Sequence, residues 1–104
     1  MDKDDFRQMQ VLEQSLQTVF MQKQQFQSQL VETESALIEL KKTTNAYKIV
    51  GNILVSAKKE DLQKDLETKK ELFSTRVKVL EKQEEQLRTE AAAMQKKLMD
   101  AKRQ

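Results

Sequence analysis

Acid–base chemistry in this chain would have to be run by carboxylates, because histidine and cysteine are both absent. Close-spaced carboxylates include Glu32 with Glu34 and Glu84 with Glu85. Neighbouring residues on a helix point in different directions, so neither pair converges on a reacting atom. Nor is there a glycine-rich loop to cradle a phosphate, a thiolate nucleophile, or an imidazole to act as base or metal ligand. These carboxylates read as solvated helix faces. No catalytic, cofactor-binding or metal-binding residue is assigned, and the chain is expected not to be an enzyme.

Binding is then the chemistry left to argue. The chain has 19 basic and 17 acidic side chains and a net charge of +2. Lysine pairs at Lys41-Lys42, Lys58-Lys59, Lys69-Lys70 and Lys96-Lys97 each lie near acidic residues. A phosphate-binding surface concentrates its positive charge, so no nucleic-acid partner is predicted. No apolar run approaches the roughly 18 residues that a membrane span requires. The acidic start, Met1 to Asp5, is not followed by the apolar stretch of a secretory signal. A chain with no membrane association, in the cytoplasm, is the expectation, and the lack of cysteine suits a reducing compartment.

The elements carrying these residues are mostly helical. With 35% charged residues, no proline, a single glycine and no tryptophan, the 104-residue chain does not have the composition of a compact core. In the first half Met9, Leu12, Leu16, Val19, Lys23, Phe26, Leu30, Thr33, Leu37 and Leu40 advance by alternating steps of three and four. That is a heptad seam broken only by Lys23 and Thr33. A matching seam in the second half runs through Leu62, Leu66, Lys69, Phe73, Val77, Leu80, Glu84, Leu87, Ala91, Met94, Leu98 and Ala101, with a local phase shift if Lys69 is left out. Between the halves lies Tyr47-Lys48-Ile49-Val50-Gly51-Asn52-Ile53-Leu54-Val55. Two apolar, β-branched runs separated by Gly-Asn predict a hairpin with a two-residue primed turn, in which Gly51 takes φ > 0.

Folding the chain back at the bond between Gly51 and Asn52 pairs residues whose numbers sum to 103. Met9 then meets Met94, Leu16 meets Leu87 and Leu30 meets Phe73, while Val50 meets Ile53 across the hairpin. One reflection serves both sheet and seam. The predicted fold is mainly α, a long antiparallel two-helix coiled coil with one connecting β-hairpin. Residues 1–104 form a single domain, with helix 1 over about 3–44, the hairpin over about 46–57 and helix 2 over about 59–102. Acidic residues near both helix starts and basic residues near both ends match the helix dipoles. Ser56 or Asp61 is expected to cap the second helix. Lys23 falls one layer from Glu84, placing either an ion pair that fixes register or a lysine that snorkels to water.

An isolated hairpin is marginal in water, and its strand edges carry unpaired N–H and C=O groups. Alternation puts Tyr47, Ile49 and Leu54 on one face and Val50, Ile53 and Val55 on the other, so both faces are largely apolar. Tyr47, Ile49, Val50, Gly51, Ile53, Leu54 and Val55 are therefore expected to join subunits.

The sequence resembles the β-class subunits of prefoldin, particularly the archaeal form. The likeness runs through Gln22-Lys23-Gln24, Gln29 to Thr33, Ala36 to Leu40, Ala46-Tyr47-Lys48, Gly51 to Val55 and Leu80 to Glu84, with Tyr47 to Val55 the most distinctive stretch. The resemblance implies a hexamer of two α-class and four β-class subunits, joined by their hairpins into a β-barrel platform. It further implies an ATP-independent holdase that grips unfolded proteins with its coiled-coil ends and delivers them to a group II chaperonin. The reflected seam brings Phe6, Met9, Met94, Leu98 and Met99 to the end opposite the hairpin. Methionine adapts to varied apolar surfaces, so these are the expected client contacts, with Phe6 and Met99, off the strict seam, the better candidates. An adaptor coiled coil without chaperone activity is the competing reading.

Overall fold

The computed structural model describes residues 3–102, in the order α1 (Lys3–Lys42), β1 (Ala46–Val50), β2 (Ile53–Ala57) and α2 (Lys59–Lys102). Both helices begin with acidic side chains in the first turn, Asp4 and Asp5 in α1 and Glu60 and Asp61 in α2. Lys41 and Lys42 close α1, complementing its dipole. Helix α1 stops two residues short of the predicted end. The Thr43 N–H donates to Leu40 O at 3.4 Å, a tightened last turn, and the Thr43 hydroxyl donates to Asn45 O at 2.9 Å. This local turn releases the backbone into β1.

The strands pair antiparallel in the register Ala46 with Ala57, Tyr47 with Ser56, Lys48 with Val55, Ile49 with Leu54 and Val50 with Ile53. Every pair sums to 103, as the reflection required. Gly51 has φ +61°, and no non-glycine residue among those described has positive φ. Positive φ at the first central residue alone is the type II′ pattern, so Asn52 need not adopt a left-handed conformation. Neither predicted cap is used. Ser56 is held in β2 opposite Tyr47, and α2 opens with the Leu62 N–H donating to Lys58 O at 3.1 Å.

The chain forms two compact units. In the unit made of the chain up to Gln25 and the chain from Val77 onward, Val19, Val77 and Leu80 are buried, with Leu12, Leu16, Leu87 and Ala91 half-buried along the seam. In the unit Phe26–Arg76, Leu40 and Ala46 are buried and the rings of Phe26 and Phe73 stack at 6.1 Å, tilted by 39°. Thr33, a buried polar residue, donates its hydroxyl to Gln29 O at 2.8 Å, which removes most of the cost of placing it in the seam. Lys69 is exposed rather than in the seam. The seam of α2 therefore steps seven residues from Leu66 to Phe73 with no buried side chain between them, Leu72 being exposed.

Candidate functional site

Two surfaces stand out, and each lies within one compact unit. The first is the hairpin. Tyr47, Ile49 and Leu54 project from one face of the sheet and are all exposed, Ile49 by 75%. On the other face Ala46 is buried and Val55 and Ala57 are half-buried, while Val50 and Ile53 beside the turn are exposed. Among the described residues the sheet has two strands. Both outer edges thus present unpaired backbone groups beside apolar side chains, the condition under which strands recruit further strands.

The second surface is formed by the two chain ends. Met9, Met94 and Leu98 are half-buried and serve the seam, whereas Phe6 and Met99 are 52% and 51% exposed. The five predicted residues do not form one patch. In heptad terms Phe6 and Met99 fall on one flank of the antiparallel pair. An open groove of about 800 Å³ occupies the other, with Val11, Leu12, Ala93 and Met94 as its apolar lining and Arg7, Glu90 and Lys97 at its rim. Val11 and Ala93 escaped the sequence reading. Val11 carried the signal that singled out Phe6, an apolar residue off the seam near the ends.

The end unit is tied by charge. Lys97 Nζ lies 3.2 Å from Asp5 Oδ1, an exposed pair that fastens the two chain ends to each other. Deeper in, Lys23 Nζ donates to Glu84 Oε1 at 3.1 Å and sits 3.0 Å from Oε2. Only Oε1 has hydrogen-bond geometry, and Oε2 is held by charge alone. Arg88 Nη2 reaches Glu84 Oε1 at 3.2 Å, and the Lys23 ammonium lies 5.6 Å from the centre of the Phe20 ring. One buried carboxylate thus carries two cations, which leaves neither seam charge unpaired.

No cluster of acidic side chains among the described residues is arranged to hold a metal ion. No helix among them is long and apolar enough to cross a membrane.

The family described as prefoldin subunit matches residues 4–104. The chain belongs to the prefoldin subunit family. It is 49% identical over 96 residues to the prefoldin subunit beta of Archaeoglobus fulgidus, covering 89% of this chain and 83% of that protein. The prefoldin subunit beta of Sulfurisphaera tokodaii is 39% identical over 93 residues, with 86% and 74% covered. The crystal structure of the prefoldin beta subunit from Thermococcus strain KS-1 superposes with a TM-score of 0.86 at 29% identity, covering 95% of this chain and 90% of that one. Prefoldin membership makes the chain a chaperone subunit that assembles with other prefoldin subunits, and the single hairpin between two helices is the β-subunit arrangement seen in the Thermococcus structure.

Proposed function

We propose that this prefoldin subunit, one domain over residues 1–104, works in the cytoplasm within a hexameric holdase containing α-class subunits and further β-class copies. Its hairpin joins the subunits through Tyr47, Ile49, Val50, Ile53, Leu54 and Val55, with Gly51 shaping the turn. Its chain ends grip unfolded client proteins through Phe6, Met9, Met94, Leu98 and Met99. The held client passes to a group II chaperonin, and no step requires a cofactor or nucleotide turnover.

The observation that carries this reading is the exposure of Phe6 and Met99 in the unit made of the chain up to Gln25 and from Val77 onward. Exposed flexible apolar side chains give weak, adaptable contacts, and several arms acting together raise the effective concentration of such contacts. The test is suppression of client aggregation by the assembled protein without nucleotide. Replacing Phe6, Met94, Leu98 and Met99 together with serine should abolish suppression while assembly mass stays unchanged. Full suppression by that variant would reject the site.

A further inference from the structure

Sulfur chemistry in this chain belongs to methionine alone. The sequence has five methionines and neither cysteine, histidine nor tryptophan, so an oxidant meets no thiol, imidazole or indole ahead of a thioether. Met9, Met21, Met94 and Met99 lie among the described residues, all four in the unit made of the chain up to Gln25 and from Val77 onward. Met9 and Met94 are half-buried in the seam, whereas Met21 is 64% exposed and Met99 51%. An oxidant must reach the sulfur, so Met21 and Met99 react first.

The two exposed thioethers differ in place. With Met9 and Leu16 at heptad position a, Met21 is f, on the side of α1 turned away from the seam. It stands about 22 Å along α1 from Phe6. Met99 shares a flank with Phe6. Of the five client contacts assigned above, Phe6 and Met99 are the exposed ones, and of these two only Met99 carries sulfur. The client surface thus has one side chain that is both reachable and oxidisable.

We propose that Met99 is a reversible oxidation site whose sulfoxide loosens the grip on clients, while oxidation at Met21 leaves that grip untouched. The proposal rests on the client site proposed above. A hydroperoxide supplies the oxygen: the sulfur lone pair forms an S–O bond as the O–O bond breaks, and sulfur gives up two electrons. The peroxide's own proton moves to the leaving oxygen, which departs as water or an alcohol. The sulfoxide is polar, so covering it with an apolar client segment carries a desolvation cost that the thioether does not. Methionine sulfoxide reductases, drawing electrons from a dithiol, return the thioether, with one enzyme for each sulfoxide epimer.

The full chain is treated with hydrogen peroxide until Met21 and Met99 are converted and Met9 and Met94 are not, then quenched with catalase and assembled with untreated α-class subunits. Peptide mass spectrometry reads each site, and circular dichroism and assembly mass check that the fold is unchanged. The protein concentration that halves client aggregation should rise about fivefold, the equivalent of about 1 kcal/mol and the scale of burying half a methionine side chain. Met99→Leu should match untreated wild type and change by less than about twofold after peroxide. Met21→Leu should stay as sensitive as wild type, and the reductases should restore the treated protein. Undiminished suppression with Met99 fully oxidised, or an equal loss in Met99→Leu, would overturn the switch. Failure of the client site itself is told apart by the serine variant above: if that variant still suppresses aggregation, site and switch fall together. If it loses suppression while oxidised wild type is unaffected, the switch alone is rejected.

Discussion

Removing the Lys23 ammonium tests whether the polar layer in the end unit stabilises it. The Lys23 and Glu84 side chains are 15% and 9% exposed, so the pair is close to fully desolvated. Stranding one member of a buried pair costs about 3–5 kcal/mol. Here Arg88 remains 3.2 Å from Glu84, but its side chain is 68% exposed and water screens its charge. Lys23→Met, which preserves length and apolar volume, should therefore cost about 2 kcal/mol, below the range for a stranded charge. Glu84→Met should cost about 1.5 kcal/mol, since the freed lysine can reach water along its own stem. The double variant should lose about 1 kcal/mol or less, because an apolar pair of similar volume replaces an ion pair at little net cost. Urea unfolding at fixed chain concentration reads all three, the concentration held because assembly shifts the apparent stability. With a slope of about 2 kcal/mol per molar, Lys23→Met should lower the midpoint by roughly 1 M. A midpoint within about 0.2 M of wild type on that slope, or a double variant as weak as the sum of the singles, would refute the reasoning.

Gly51 has φ +61° and open space where a Cβ would stand, so Gly51→Ala should cost about 1 kcal/mol from backbone conformation alone. Gly51→Asn should cost less, and equal midpoints in urea for the two would count against the argument. Thr33→Val removes a hydroxyl whose acceptor is a helix carbonyl already bonded in its own turn, and should change stability by less than about 1 kcal/mol by thermal unfolding. Asp5→Asn, which breaks the exposed pair with Lys97, should cost no more than about 0.5 kcal/mol, with aggregation suppression retained.

The seams were legible because a three-four alternation has one physical meaning, and every member of the α1 series from Met9 to Leu40 is buried or half-buried. The strand register was legible for a related reason, since a two-residue turn leaves one antiparallel pairing. Between types I′ and II′ the sequence was silent, because asparagine tolerates both signs of φ and the flanking strands admit either. Lys69 was misplaced by spacing alone. A four-carbon stem fits a seam on paper, but nothing forces a charged head to stay there when water is adjacent. Ser56 carried the right chemistry for a cap, yet pairing with Tyr47 claimed its backbone for the sheet. At the ends, the exposure of Phe6 and Met99 follows from their lying off the seam, and so does that of Val11, to which the same criterion was not applied.

Among the described residues, no large side chain is fully buried. A leucine cut back to alanine in such a seam opens onto solvent rather than a sealed void, so the loss stays near the low end of about 2–5 kcal/mol. Substitutions are thereby individually survivable, and neighbours along a helix rarely depend on one another for fit. The tolerance has a counterpart in the family, where 29% identity suffices for a TM-score of 0.86. A chain of this kind can change most of its letters while keeping the same architecture, provided the three-four rhythm that builds the seam is left in place.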